Sequence, residues 1–438
     1  MRPKQFKEAL LRGQGRCIRE VRSNPEKYRS MVLWACRHVI AFDPQCEGCR
    51  SVFVYELIRC YEDKAPFLQA LTESLRKTKS DGRWKTLYLA EVLSYFANDG
   101  EEIAKKALWD KYEALYQALL KKKHRPEGVF PERDDFEGIC LVLGREEPQM
   151  LRIAEDIGKL YRTKDFYDGY DFDWLFASCA ECRLSTLTKW TKKSENIAAY
   201  LLKQKEAEEK HAAWMEARKQ NPADLAGRRL SMWLKKHGDE DAVQAAVKAY
   251  QNAQDPDVRA EALDAFWVYP FPEDLAHLME DAKSDHSRLK AAAWRALENI
   301  VHPQVRQFAL EQLENDLEAA FPVFLANYRP EDEALLVHLV TSIPVDFACT
   351  TMWHGVFGDV LGMQDRGLKA PKALLYHIYE TSYCSCCREY ALWDMGKRRL
   401  LTDEILEECL LDSNDDIRNY AGKILARREN RRKKYGTL

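Results

Sequence analysis

A short residue frame recurs along this sequence, and it restricts the chain to stacked helical units more strongly than any other feature. The frame is an apolar residue, a base directly after it, and a small or apolar residue three positions beyond the base. Its clearest copy is DPDVRAEALDAF at 255–266, with Val258 and Arg259 in the first two positions. Asp255 is typical of a helix N-cap, Pro256 fits the first helical position, and the apolar residues that follow fall on one helical face. The frame therefore predicts an amphipathic helix.

Copies of the frame are spaced as helical pairs would be. Val258 and Leu289 are 31 residues apart, and Cys387 and Ile417 are 30 residues apart. The other intervals are close to whole multiples of about 30 to 38 residues, which gives about twelve positions along the chain. A unit of that length is stable only when it is stacked on its neighbours. Seven copies can be recognised in the sequence, and their bases are Arg50, Lys85, Arg183, Arg259, Lys290, Arg388 and Arg418.

The frame resembles the second helix of a HEAT repeat: Asp or Asn at the turn, an apolar residue, Arg or Lys, then Ala with apolar residues at helical spacing. The resemblance is good over about 240–300 and 375–427 and patchy elsewhere. It implies an all-α, armadillo-type solenoid, a right-handed α-α superhelix of about twelve helical pairs. It also implies that the turn acid of one repeat pairs with the base of the next. The implied acids are Asp255, Asp285 and Asp415 or Asp416, and the implied bases are Arg259, Lys290 and Arg418.

Composition favours a water-soluble helical protein. Hydrophobic residues make up 46% of the chain and charged residues 31%, with 19 Gly and 16 Pro in 438 residues. Alternating β-branched runs are scarce, so strands are not expected. We find no signal-peptide pattern and no apolar run of membrane-spanning length, and 13 cysteines fit a reducing compartment. These features predict a cytoplasmic protein that does not contact a membrane.

Charged tracts and loop-forming residues divide the chain into four stretches. The first, 1–187, is expected to hold N-terminal helical repeats, and 188–221 is a charged helical tract that could act as a hinge. Better-patterned HEAT-like repeats are expected over 222–427, followed by a basic tail at 428–438. Since each unit of a solenoid touches only its neighbours, these boundaries need not separate true domains.

Cysteine pairs are the first candidate site. Three CxxCR motifs begin at Cys46, Cys179 and Cys384, and each second cysteine stands in the apolar position of the frame. A thiol at a helix N-terminus favours metal or redox chemistry, whereas a buried cysteine can simply replace Val or Ile. Motifs several repeats apart should lie tens of ångströms from one another, so a zinc site would need local ligands. The best local set for zinc is Cys36, His38, Cys46 and Cys49.

The segment DFYDGYDFDWLF at 165–176 is the second candidate site. Its carboxylates alternate with aromatic rings, a mixture suited to a cationic or basic peptide ligand. The alternative interpretation is a structured loop whose rings cover the end of a repeat. The candidate binding residues are Asp168, Tyr170, Asp171 and Trp174.

No catalytic motif supports an enzymatic function. The sequence has no HExxH, P-loop, GxGxxG helix start or GxSxG elbow. A net charge of −3 argues against a general nucleic-acid binder, although basic runs occur at 121–125 and 427–434. We therefore expect a non-enzymatic scaffold that binds a protein or peptide on the concave face of a solenoid. The alternatives are a HEAT-like enzyme, a nucleic-acid-binding protein similar to alkylpurine DNA glycosylases, or a metal-binding or redox protein that uses its CxxC pairs.

Overall fold

Every regular element in the described part of the chain is helical. The computed structural model describes residues 1–78, 83–124, 131–167, 183–217, 227–272, 275–348 and 351–435. No strand occurs within these ranges. The all-α prediction is therefore confirmed for the described residues. None of the described helices combines the length and the apolar character needed to cross a membrane.

The chain divides into two compact units. Unit 1 holds Met1–Glu216, Tyr383–Glu389 and Leu400–Leu438, and unit 2 holds Ala217–Ser382 and Tyr390–Arg399. The described helices from the N-terminus to Ala217 are α1 Pro3–Arg12, α2 Arg16–Ser23, α3 Pro25–Ala35, α4 Pro44–Glu47, α5 Ser51–Arg59, α6 Ala65–Lys77, α7 Arg83–Asn98, α8 Glu102–Lys121, α9 Pro131–Leu143, α10 Glu147–Thr163, α11 Arg183–Trp190 and α12 Glu195–Ala217.

The remaining helices follow in chain order. They are α13 Gly227–His237, α14 Glu240–Asn252, α15 Pro256–Leu263, α16 Leu275–Asp281, α17 Ser287–Leu297, α18 Pro303–Gln312, α19 Leu317–Ala326, α20 Glu333–Ser342, α21 Thr351–Leu361, α22 Lys372–Thr381, α23 Ser385–Lys397, α24 Asp403–Cys409 and α25 Asp415–Tyr435. Short 3-10 turns occupy Asp264–Phe266, Pro330–Asp332 and Gly362–Arg366.

The core of unit 1 is built around α7. This helix packs on α5, α6, α8 and α9, so it is covered on several sides. Its Tyr88 is completely buried, and the hydroxyl donates a 2.6 Å hydrogen bond to the Ala35 carbonyl. That bond satisfies a polar group that would otherwise be costly to bury.

In unit 2, alternate helices pack on one another: α15 on α17, α17 on α19, and α19 on α21. The local prediction for the 255–266 frame is confirmed at its start, where the Asp255 carboxylate accepts from the Asp257 and Val258 amides and Pro256 opens the helix. Leu263 and Phe266 are buried as expected, but Val258 is 53% exposed. The apolar position of the frame therefore faces solvent here, whereas Leu289 and Ile417 in the same position are buried.

Segments near the C-terminus belong to unit 1, so 222–427 does not form one continuous unit. The boundary after Glu216 falls inside the charged tract 188–221. Residues 428–435, expected as a tail, instead continue α25. Arg428 and Arg432 both donate to the Asp403 carboxylate, and these ion pairs hold the end of α25 against the start of α24.

Candidate functional site

Two of the three CxxCR motifs lie side by side in unit 1. The Ser385 amide donates to a Glu47 carboxylate oxygen at 2.7 Å, although the two residues are 338 positions apart. The Arg50 guanidinium donates to the Tyr383 carbonyl at 2.7 Å, and the Cys386 thiol lies 4.0 Å from the Cys46 carbonyl oxygen. The expectation that distant CxxCR motifs lie far apart is therefore wrong for this pair. The cause is the return of 383–389 to the N-terminal helices of unit 1.

Glu47 and Arg50 form a buried ion pair at the centre of this junction. Their side chains are almost completely buried, and the closest nitrogen–oxygen distance is 2.8 Å. Arg50 also donates to the carbonyls of Leu11 and Ile40, and Glu47 accepts from the backbone amide of Asp43. Such a pair is tolerated inside a protein only when hydrogen bonds satisfy both ions, as they do here.

The backbone of Arg50 is itself unusual. Its φ of 57° lies in the left-handed region, which costs a residue with a side chain about 1 kcal/mol or more. Gly48, two residues earlier, has a φ of 70°, which only glycine adopts readily. The CEGCR motif at 46–50 is thus a tight loop that places the Arg50 guanidinium in the interior, and this arginine has a structural role.

The arginine of the other motif is also buried. Arg388 makes a bidentate contact with Asp412, with two nitrogen–oxygen distances of 2.9 Å. Both side chains are buried almost completely. Asp412 lies in the turn before α25, so the contact joins the first turn of α23 to a turn 24 residues further along the chain.

Three thiols gather beside this junction. Cys46 is exposed, Cys386 is half-buried and Cys384 is buried. A hydrogen bond from the Cys46 thiol to the Asp43 carboxylate raises the pKa of Cys46. A hydrogen bond with Cys384, together with burial, raises the pKa of Cys386. The thiols of Cys46 and Cys386 are therefore protonated near neutral pH, which makes them weak nucleophiles.

The four residues expected to bind zinc occupy different environments. No three of Cys36, His38, Cys46 and Cys49, all in the described part of the chain, have ligand atoms within 4.8 Å of one another. Burial raises the pKa of Cys36 to about 12, and the buried Cys49 thiol points at the Trp84 carbonyl, 3.8 Å away. His38 is exposed, and its Nδ1 lies 2.8 Å from the Trp34 carbonyl of α3, the helix that ends before it. Cys36 and Cys49 therefore pack as small buried hydrophobes.

A ladder of ion pairs connects successive helix pairs of unit 2. Arg259 contacts Asp281 at 2.5 Å, 22 residues further along the chain. The same forward contact joins Lys290 to Asp316 at 2.6 Å and Arg306 to Asp332 at 2.5 Å, in each case over 26 residues. The carboxylate of each acid also accepts a hydrogen bond from a second group. Asp281 accepts from the Tyr250 hydroxyl, Asp316 caps α19 at the Ala319 amide, and Asp332 accepts from the Arg329 amide.

The ladder corrects the acids implied by the HEAT resemblance. A base pairs with an acid of the following helix pair, which is the reverse of the expected direction. Asp255 caps its own helix, and Asp285 is exposed on the surface. Arg418 pairs with Asp415 in its own turn and donates to the Asp412 carbonyl at 2.6 Å. The physical reason is that the Asp255 carboxylate caps α15. Its hydrogen bonds to the Asp257 and Val258 amides hold it at its own helix, so it does not extend to a base of the next helix pair.

One base of the ladder, Arg306, is not among the seven bases predicted from the frame. Val305 and Arg306 are followed by Ala309, so the frame is present, and Val305 and Ala309 are both buried. This copy begins 16 residues after Leu289, about half the 30 to 31 residues between the clear copies, because it lies on α18, the next helix after α17. A search at half-repeat spacing would have found it.

The remaining predicted site residues lie, in whole or in their side chains, outside the described part of the chain. Arg183 is the first residue of α11, and its side chain lies outside the described residues. The predicted binding residues of the acidic and aromatic segment also lie outside them, as do two cysteines of the second CxxCR motif: Asp168, Tyr170, Asp171, Trp174, Cys179 and Cys182.

Comparison with known proteins identifies no family. No protein-family model matches the chain, and no curated protein sequence matches it. One solved structure that it resembles is described as an engineered protein from the Northeast Structural Genomics Consortium. The alignment has 13% sequence identity, covers 96% of this chain and 93% of that chain, and has a TM-score of 0.23. A TM-score this low carries no argument about fold or function.

Proposed function

We propose that this chain is a HEAT-like helical-repeat scaffold that binds a protein or peptide partner without catalysing a reaction. The supporting observation is the ion-pair ladder of unit 2, in which Arg259, Lys290 and Arg306 each contact an acid 22 to 26 residues further along the chain. A contact that recurs from one helix pair to the next is typical of repeat proteins, and such proteins present extended surfaces to their partners.

The proposed architecture is a right-handed superhelix of about twelve helical pairs. Support comes from the packing of alternate helices in unit 2 and from the recurrence of the frame at 30 to 31 residues. The proposed location is the cytoplasm, on the ground that 13 cysteines suit a reducing compartment.

The proposed contact residues are those of the acidic and aromatic segment. Asp168 and Asp171 would pair with basic groups of the partner, while Tyr170 and Trp174 would supply cation–π and apolar contact. Sequence chemistry is the basis for this choice. A net charge of −3 and the pairing of Arg428 and Arg432 with Asp403 favour a protein partner over a nucleic acid.

Partner capture from native extract tests the proposal. The full chain serves as bait after nuclease treatment, alongside the double variant Tyr170→Ala/Trp174→Ala and the control Tyr390→Ala. Tyr390 is an exposed ring, at 49%, in unit 2. We expect a stoichiometric protein partner that the double variant loses and the control keeps, with the melting temperature unchanged.

Three outcomes would count against this proposal. If the double variant keeps the partner, the chosen contact residues are wrong. If it melts well below the wild type, the two rings belong to the core. Recovery of nucleic acid in place of protein, with retention that falls as salt is raised, would replace the scaffold with a nucleic-acid function.

A further inference from the structure

Unit 1 contains an open cavity between α6 and α8, and none of its lining residues belongs to a cysteine motif. Its volume is about 480 Å³, within the range of small-molecule sites. Ile103, Ala107 and Ala114 supply apolar wall, and the Ile103 side chain is 64% exposed. An isoleucine so exposed at the mouth of a cavity offers apolar surface that a ligand can cover.

A buried lysine, Lys111, is among the residues that line the same cavity. Lys111 is 8% exposed, and its Nζ donates to the Thr78 carbonyl at 2.7 Å. An ammonium has three donors, and this is its one hydrogen bond to the described residues. Burial lowers the pKa of Lys111, while the buried carboxylate of Asp135 acts in the opposite direction. Asp135 is itself engaged with the Thr86 hydroxyl at 2.6 Å.

The charged residues that line the cavity carry a net positive charge, with three bases and two acids. Both acids of the wall already have partners: Lys77 contacts Glu73 at 2.5 Å and Lys106 contacts Asp110 at 2.7 Å. Arg76 is exposed, and no ion pair within 4.0 Å engages it in the described part of the chain. Arg76 and Lys111 both line the cavity, and a carboxylate is an anion that a guanidinium and an ammonium can each bind.

We propose that the α6–α8 cavity binds a small apolar molecule that carries one carboxylate. The apolar part covers Ile103, Ala107 and Ala114, and the carboxylate lies between Arg76 and Lys111. Charge complementarity selects this ligand class over neutral and cationic molecules of the same shape. The inference stands apart from the proposed scaffold function, since it uses different residues and a different ligand class.

Three amphiphiles that differ only in their head group test the proposal: dodecanoate, dodecanol and dodecylammonium, each kept below its micelle concentration. Calorimetric titration of the full chain measures the affinity of each. We expect saturable one-to-one binding of dodecanoate and at least about tenfold weaker binding of the other two, because charged hydrogen bonds are lost.

Variants then locate the site. Arg76→Gln alters an exposed side chain and should weaken dodecanoate about tenfold while leaving dodecanol unchanged. Ile103→Ser should weaken both, and Lys111→Met should resemble Arg76→Gln if the variant remains folded. Lys121→Gln is the matched control, an exposed base on α8 outside the lining. Equal affinity for the three amphiphiles, no saturable binding, or dodecanoate binding that survives both Arg76→Gln and Ile103→Ser would overturn the proposal.

Discussion

Arg388 and Asp412 form a bidentate ion pair in which both side chains are buried, with two nitrogen–oxygen distances of 2.9 Å. Removing one partner leaves a buried charge without compensation. We therefore expect Arg388→Met or Asp412→Asn to lower the free energy of unfolding by about 3 to 5 kcal/mol. The double variant Arg388→Met/Asp412→Leu should recover part of that loss.

Denaturant unfolding of the full chain measures these changes. Arg432→Gln is the control, because Arg432 makes an exposed contact with Asp403 at 2.6 Å, and such pairs contribute at most about 1 kcal/mol. Equal losses for Arg388→Met and Arg432→Gln would contradict the structural role assigned to Arg388.

Arg50 should not tolerate lysine, although lysine keeps the charge. The guanidinium contacts the Leu11 and Ile40 carbonyls, the Glu47 carboxylate and the Tyr383 carbonyl at the same time, and an ammonium cannot reach all four. We expect Arg50→Lys to lower the unfolding free energy by about 2 kcal/mol or more. Arg59→Lys, in an exposed pair with Glu56, should leave the unfolding free energy unchanged. Comparable stability of the two variants would refute the argument.

Cys46 should become more reactive when Asp43 loses its charge. The Asp43 carboxylate raises the pKa of the Cys46 thiol, so Asp43→Asn lowers that pKa and increases the thiolate fraction at fixed pH. Alkylation of Cys46 by iodoacetamide, followed site by site with mass spectrometry, should be severalfold faster in the variant. Asp63→Asn replaces a carboxylate that likewise accepts from an amide two residues on, and it should leave the rate unchanged. An unaltered rate in Asp43→Asn would show that the carboxylate does not control this thiol.

The stability of unit 2 should fall as pH rises from about 4 to about 6. Burial raises the pKa of Asp359 from 3.8 to about 6, with a further increase from Glu298 and an opposing effect of Arg366. The folded state therefore holds a proton that the unfolded state has lost in this window, and stability decreases with pH until both forms are ionised. Asp359→Asn should raise the melting temperature at pH 7 and flatten this dependence.

The magnitude for Asp359 is at most about 3 kcal/mol. Asp365→Asn, at an exposed carboxylate next to the same helix, should change neither the melting temperature nor its pH profile. An Asp359→Asn variant that keeps the full pH dependence would assign it to another group.

Local features of this fold are readable from the sequence, and contacts between distant segments are not. The cap at Asp255 and the buried positions of Leu289 and Ile417 follow from residue chemistry and helical spacing. The meeting of Glu47 with Ser385 depends on the path of the whole chain, which no local pattern records. The acids of the ladder were misassigned because several aspartates surround each turn, and helix capping competes for them.

The candidate site shows the same division. Sequence spacing singled out the CxxCR motifs, and two of them do meet, but the chemistry at their junction is carried by Glu47 and Arg50 more than by thiols. Lys111 gave no signal in the sequence, since it is one base among many on a helical face. Only the packing of α6 on α8 makes it a buried group beside a cavity.

The most direct test of the repeat scaffold is a double-mutant cycle on Arg306 and Asp332. The cycle uses Arg306→Gln, Asp332→Asn and the double variant, and a parallel cycle on Arg306 and the adjacent Glu331 serves as the control. The ladder contact is 2.5 Å long and mostly buried, so we expect a coupling free energy of about 1 to 2 kcal/mol for Arg306 with Asp332. The control should give less than about 0.3 kcal/mol. Equal coupling in the two cycles, or none in either, would contradict a scaffold whose successive helix pairs are connected through this ladder.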